Sequence, residues 1–206
     1  MLKIWDISTR IYHWLQAFLF FALVISAYGG LGKEVHTWLG TMLVVLLIWR
    51  LGWGVFGSET SRFSQFLRSP REILGYMRGK PQSRAGHNPL GALMVMVLLT
   101  SLFLQGSIGI TMSDWLEGKE MFGRSGMRTL GQIHEINALL LIALTVTHII
   151  AAIVYRLKGQ YLIRAMFTGK IKVPEHIEPP QIASNRRAII WLTCSVAVLV
   201  TIIKLL

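Results

Sequence analysis

Residues 133–150 read IHEINALLLIALTVTHII, an otherwise apolar run with a histidine near each end. An ionisable side chain at membrane depth is costly and is retained where it faces a protein interior or a functional site. His134 and His148 are fourteen residues apart, a rise of roughly 21 Å with a rotation within about 40° of four whole turns. Both imidazoles therefore lie near one face of a single helix, at two depths.

The rest of the chain has the same character. Of its 206 residues, 53% are hydrophobic and only 15% charged. A spanning helix needs about 20 mainly apolar residues, and five stretches qualify: 11–28, 35–56, 89–112, 131–155 and 188–206. The expected fold is an all-α membrane protein. Residues 1–172 are expected to form a four-helix transmembrane bundle, and 173–206 a linker with a fifth transmembrane helix. The first apolar stretch follows Lys3 and Arg10 as a signal peptide would. It opens on Tyr12, His13 and Trp14, however, and shows no clear small-residue cleavage site near Tyr28, so it reads as a retained helix. Cys194 is the only cysteine, which excludes an internal disulfide and any cysteine-held cluster.

A net charge of +11 would suit a nucleic-acid partner, but its distribution argues for a membrane instead. Arg62, Arg68, Arg71, Arg78, Lys80 and Arg84 crowd one loop, and Arg156, Lys158, Arg164, Lys170, Lys172, Arg186 and Arg187 another. The intervening loops are poorer. Positive charge in alternate loops marks the cytoplasmic side. The expectation is a multi-pass membrane protein with its N-terminus cytoplasmic, its C-terminus on the opposite side and anionic lipid at its basic face. Ser69–Pro70 opens a short helix in the first basic loop, with Ile73, Leu74 and Met77 on one side, suited to lie in the interface. Residues 113–130 read as a long Gly-rich outer loop.

On this topology His13 and His148 share the cytoplasmic depth, and His36 and His134 the outer depth. Each histidine alone could be a snorkelling or hydrogen-bonded residue. Four falling into two depth-matched pairs point to cofactor ligation. Zinc usually takes four protein ligands, or three and water, and no carboxylate sits at either level. Glu135 neighbours His134 but points about 100° away. Two imidazoles suit a haem iron, whose other ligands come from the porphyrin, and without a CxxCH motif the haems are non-covalent, b-type. Gly40, Ala138, Gly91, Gly106 and Gly109 leave room for a flat macrocycle. Arg50 is a candidate propionate partner, with snorkelling to the headgroups as its alternative. His176 reads as solvated in its Pro-rich loop. His87 and Asn88 lie at the cytoplasmic entrance of the third span. Asn88 before Pro89 is also a natural helix cap.

The stretches WDISTRIYHWL, VHTWLGTMLVVLLIWRLGWGVFGSETSRFSQFL, GHNPLGALMVMVLLTSLFLQGSIGI and IHEINALLLIALTVTHIIAAIVYRLKGQYLIRAMFTGK strongly resemble the bacterial cytochrome b561 and nickel–iron hydrogenase cytochrome b family, over about residues 4–172. The histidine spacing in the fourth span also resembles the membrane subunit of formate dehydrogenase. The resemblance implies a four-helix core with two haem b groups and electron exchange between a quinone and a partner. Carried over by position, the axial ligands are His13 and His148 for the inner haem, and His36 and His134 for the outer. Asn88, with His87 beside it, is the candidate quinone site. The segment after Lys172 matches no motif.

The function expected is electron transfer across the inner membrane between a quinone and a periplasmic c-type cytochrome or dehydrogenase or hydrogenase subunit. No catalytic side chain is assigned, and a homo-oligomer is compatible with the sequence. One rival is a stand-alone superoxide:quinone oxidoreductase, with Lys33, Arg124 and Arg128 drawing the anion. Another is a cofactor-free transporter or membrane anchor. For the partner, Asp114, Glu117 and Glu120 beside Trp115 and Phe122 form a candidate docking patch. Its alternative is a passive connector with Trp115 at the interface.

Overall fold

Asp6 starts the first helix. Its carboxylate accepts from the Thr9 backbone N–H at 2.7 Å and from the Thr9 hydroxyl at 2.7 Å, an N-cap that satisfies donors the helix itself leaves open. In the computed structural model, which describes residues 1–79, 85–113, 118–172 and 178–205, the elements follow in order. They are β1 (Leu2–Lys3), α1 (Ile7–Tyr28), α2 (Lys33–Phe56), a 3-10 turn (Glu59–Ser61), α3 (Phe63–Phe66), α4 (Pro70–Met77), α5 (Pro89–Met112), α6 (Gly118–Leu157), α7 (Leu162–Thr168), β2 (Lys170–Ile171) and α8 (Asn185–Leu205). Five of these helices are long and apolar enough to cross a membrane, and they coincide with the five expected spans.

One boundary differs markedly. The stretch expected as an outer loop to residue 130 is helical from Gly118 onward, interrupted only at Gly123, where φ is 60° and ψ −178°. Glu120, Met121, Arg124, Met127 and Arg128 are good helix formers, and glycine alone takes that positive φ readily. Of the candidate docking patch, Asp114, Trp115 and Glu117 lie outside the described residues, as does His176. Glu120 and Phe122 are exposed on the helical extension. The short helix expected after Ser69–Pro70 is present as α4. Ser69 and Glu72 cap it reciprocally, Leu74 and Met77 are exposed, and the Tyr76 hydroxyl meets that of Tyr155 at 3.3 Å.

In lipid there is little hydrophobic drive between helices, so close packing around small residues does more of the work. Helix α2 is the hub, packed against α1, α5 and α8. Gly106 of α5 is where Val44 of α2 comes close: a Cβ there would lie 2.7 Å from Val44 Cγ2. Gly106 thus serves helix packing rather than macrocycle room. At the basic end, the N-terminal strand β1 pairs antiparallel with β2, Leu2 opposite Ile171. Ile4 and Trp5 bury there against Ala165. Arg10 donates to the Phe167 carbonyl. This clip ties the chain's start to the segment after α6 and floors the bundle. Cys194 is exposed on α8.

Candidate functional site

Helix α6 makes its extensive contact with α5. Its histidines also reach α1 and α2. His148 meets His13 of α1 with ring centres 6.4 Å apart and planes at 51°. His134 meets His36 of α2 at 6.3 Å and 72°. Among the described residues α6 comes into no comparably close contact with α1 or α2, so the two imidazole pairs bridge a cleft between helices.

The repeated spacing has a chemical meaning. Metal–imidazole bonds run about 2.0–2.1 Å for a first-row ion such as zinc. Ring centres 6.3 and 6.4 Å apart would leave room for one ion between the two imidazoles of each pair. Among the described residues no set of three His, Cys, Asp or Glu gathers that could hold a metal. Each donor set is two imidazoles and nothing more, which fits an iron carrying its own four porphyrin nitrogens.

The outer pair is oriented by hydrogen bonds. The Ser26 hydroxyl donates to the Leu23 carbonyl at 2.8 Å, so its oxygen accepts from His36 Nδ1 at 2.8 Å. Protonation of Nδ1 leaves Nε2 as the lone-pair nitrogen, the second-shell arrangement typical of ligating histidines. Gln105 of α5 donates to the His134 carbonyl of α6 at 3.1 Å. Asn137, one turn on, donates to Gln105 Oε1 at 2.7 Å and accepts from the Ser101 hydroxyl at 2.7 Å. This buried amide network pins α6 to α5 beside His134. Gly109 completes the wall: a Cβ there would sit 3.4 Å from His134 Nε2. A Cβ at Gly40 would meet only Leu23 Cδ2, at 3.9 Å.

The inner pair opens into a cavity of about 150 Å³. His13, His148, His87 and Arg50 line it, with Tyr12 and Gln16 beside them. His13 Nδ1, Tyr12 Oη and Gln16 Oε1 are buried without hydrogen-bond partners. Such orphans are rare in native interiors and call for a ligand or water. Arg50 is 4% exposed, its guanidinium 5.1 Å from the centre of the Phe63 ring. It faces inward and does not snorkel. His87 packs edge-on against Trp5 at 4.7 Å. Burial, with Arg50, His148, His13 and Arg68 adding positive charge nearby, pushes its pKa down to about 3, so it stays neutral at physiological pH. Asn88 caps α5, its Oδ1 accepting from Gly91 N–H at 2.7 Å, and the close Gly91 belongs to that cap rather than to macrocycle room.

Between the two levels, Leu141 lies seven residues from each α6 histidine and is 2% exposed. It packs with Leu19, Leu43, Leu47 and Leu102 in a buried apolar layer. Sequence reasoning did not reach Tyr12, Gln16, the Ser26 contact or the Asn137 network. The last had a readable signal, since Ser101, Gln105 and Asn137 are polar residues inside apolar spans.

A multi-pass helical bundle that pairs imidazoles across a cleft at two depths has the form of a membrane b-type cytochrome. The chain belongs to the prokaryotic cytochrome b561 family, whose model matches residues 4–169. It is therefore a membrane electron-transfer protein of a haem b-binding family. Comparison with curated proteins and with solved structures finds no match. Helix α8 lies beyond the matched region.

Proposed function

We propose that the protein is a di-haem cytochrome b carrying electrons across the bacterial inner membrane between a quinone on the cytoplasmic side and a periplasmic redox partner. The observation that carries this reading is the pair of matching imidazole separations, 6.4 Å for His13–His148 and 6.3 Å for His36–His134. When bound, each haem supplies a one-electron iron couple, one near either face of a hydrocarbon core about 30 Å thick.

The chain's own residues do the rest. His36 is held in one tautomer by Ser26, so its Nε2 is ready to ligate without reorganisation. The leucine layer around Leu141 keeps water from the space between the pairs, which limits proton leakage and preserves a low-dielectric interior. Arg50 places a buried positive charge on the wall of the inner cavity, suited to a carboxylate that would otherwise be costly at that depth. The basic loops set the N-terminus inside and anchor that face on anionic lipid. On the opposite face the partner is a c-type cytochrome or a dehydrogenase or hydrogenase subunit. Small, charge-steered encounters of that kind need little buried area.

The decisive measurement is a reduced-minus-oxidised optical spectrum with a haem count on purified protein. Two b haems per chain are expected; a pigment-free, fully helical preparation refutes the reading.

For the quinone, His87 lines the inner cavity and Asn88 follows it in the chain. Asn88→Leu is expected to slow quinone-linked haem reduction or oxidation, and to lower stability by about 1 kcal/mol through the lost cap. The haem spectrum stays as in the wild type. Unaltered quinone kinetics with the same loss of stability would leave Asn88 as a cap alone.

A further inference from the structure

Helix α8 falls outside the family-matched region, yet it is locked onto the wall of the inner cavity. Trp191 lays its indole over Gly52 of α2, where any Cβ would come within 1.8 Å of the ring. Its Nε1 donates to the Trp49 carbonyl at 3.1 Å. Trp49 replies, its own Nε1 donating to the Ala188 carbonyl at 3.0 Å. The preceding linker is fastened as well, with Ala183 N–H donating to the Ser58 hydroxyl at 2.9 Å. Trp49 is therefore held from behind by α8. In front, it stacks on Tyr12 at 5.3 Å and 26°.

Tyr12 is 7% exposed and borders the cavity with Arg50, and its hydroxyl has no hydrogen-bond partner. A buried phenol normally finds one. A donor and a guanidinium on one wall suit an anionic oxygen, and charge-assisted bonds to a carboxylate are the stronger kind. Tyr12 and His13 line the same cavity, so the anion the hydroxyl meets belongs to the same occupant that the imidazole holds.

We propose that Tyr12 and Arg50 together bind a propionate carboxylate of the haem held by His13 and His148, and that α8, through Trp191 and Trp49, is the positioning element that keeps the Tyr12 hydroxyl in place. This rests on the di-haem reading above. A hydrogen bond to the carboxylate withdraws negative charge from the neighbourhood of the iron and so favours the reduced state.

The test uses potentiometric titration of the purified holoprotein. Tyr12→Phe preserves the stack on Trp49 and removes only the hydroxyl. It is expected to retain both haems and to lower the inner couple by about tenfold in reduced-to-oxidised ratio at fixed ambient potential, or about 59 mV for one electron. The outer couple should not move, and the carboxylate bands of the redox-difference infrared spectrum should shift. Trp191→Phe retains a ring over Gly52 and loses the bond to Trp49. It should shift the inner couple in the same direction, and the shift should vanish in the Tyr12→Phe background, the signature of coupled residues. Unchanged potentials in Tyr12→Phe with both haems bound would overturn the carboxylate assignment. So would a change confined to the quinone KM, which would assign the hydroxyl to a quinone carbonyl. Additive shifts in the double variant would overturn the role of α8. A wild-type protein without two haems would instead defeat the underlying functional reading.

Discussion

Substituting His148 by alanine should remove one haem and spare the other. The expectation follows from the way each pair is divided between helices. His13 and His148 share no ligand with His36 and His134, and the two levels are separated by the buried layer around Leu141. Alanine at 148 takes away one of only two nitrogens facing that level. Among the described residues no third donor of a metal-binding set gathers there, so nothing on the chain completes the coordination. Haem content should fall from two per chain to one, and the surviving spectrum should be that of the outer site. His36→Ala should give the complementary result, with the inner spectrum surviving. His87→Ala is the informative control. His87 lines the same cavity and packs on Trp5, yet the His13–His148 pair is complete without it, so both haems should remain. Two haems per chain in the His148 variant, or one in the His87 variant, would mean that the inner pair has been chosen wrongly.

The ligand candidates were legible in the sequence because the cost of burying them is conspicuous. An imidazole in a run of leucine and isoleucine has few bland explanations, and the 3.6-residue period with the loop charges sorts four of them into two depths. The spans were legible for a similar reason, as apolar length is hard to mistake. What surrounds the histidines was not. Tyr12 and Trp49 look like ordinary interfacial aromatics, and only their stacking, with α8 behind it, makes them part of a wall. Asp6 looked unremarkable, though it is 1% exposed and bonded to Thr9 and Ser61, because an N-cap and a tertiary contact over 55 residues are identical in one dimension. The β1–β2 clip involves two residues on each side, too short for any period. The helical extension before residue 131 was hidden by its glycines, which carry turn signals even where the flanking residues favour helix.

Gly109→Leu should disable the outer site as selectively as a ligand change does. The residue faces His134, and a Cβ placed on its backbone would lie 3.4 Å from Nε2 and 3.9 Å from Cδ2. Alanine at this position therefore only presses on the imidazole. Leucine adds further carbons in the same direction, and the ring has little freedom to retreat. Its helix is tied to α5 through Gln105, Asn137 and Ser101, and a ligating ring tolerates roughly 0.5 Å of displacement before its geometry is lost. The expected series is graded. Gly109→Ala should retain both haems with a shifted outer potential, whereas Gly109→Leu should lose the outer haem and leave the inner spectrum and potential as they were. Gly106→Leu separates this from a general packing defect, because a Cβ at Gly106 meets Val44 at 2.7 Å rather than a histidine. That variant should lower overall stability and not choose between the haems. Equal haem loss at both levels in Gly109→Leu would reduce Gly109 to a helix-packing residue, and two haems with an unmoved outer potential would show that the imidazole does not depend on the space beside it.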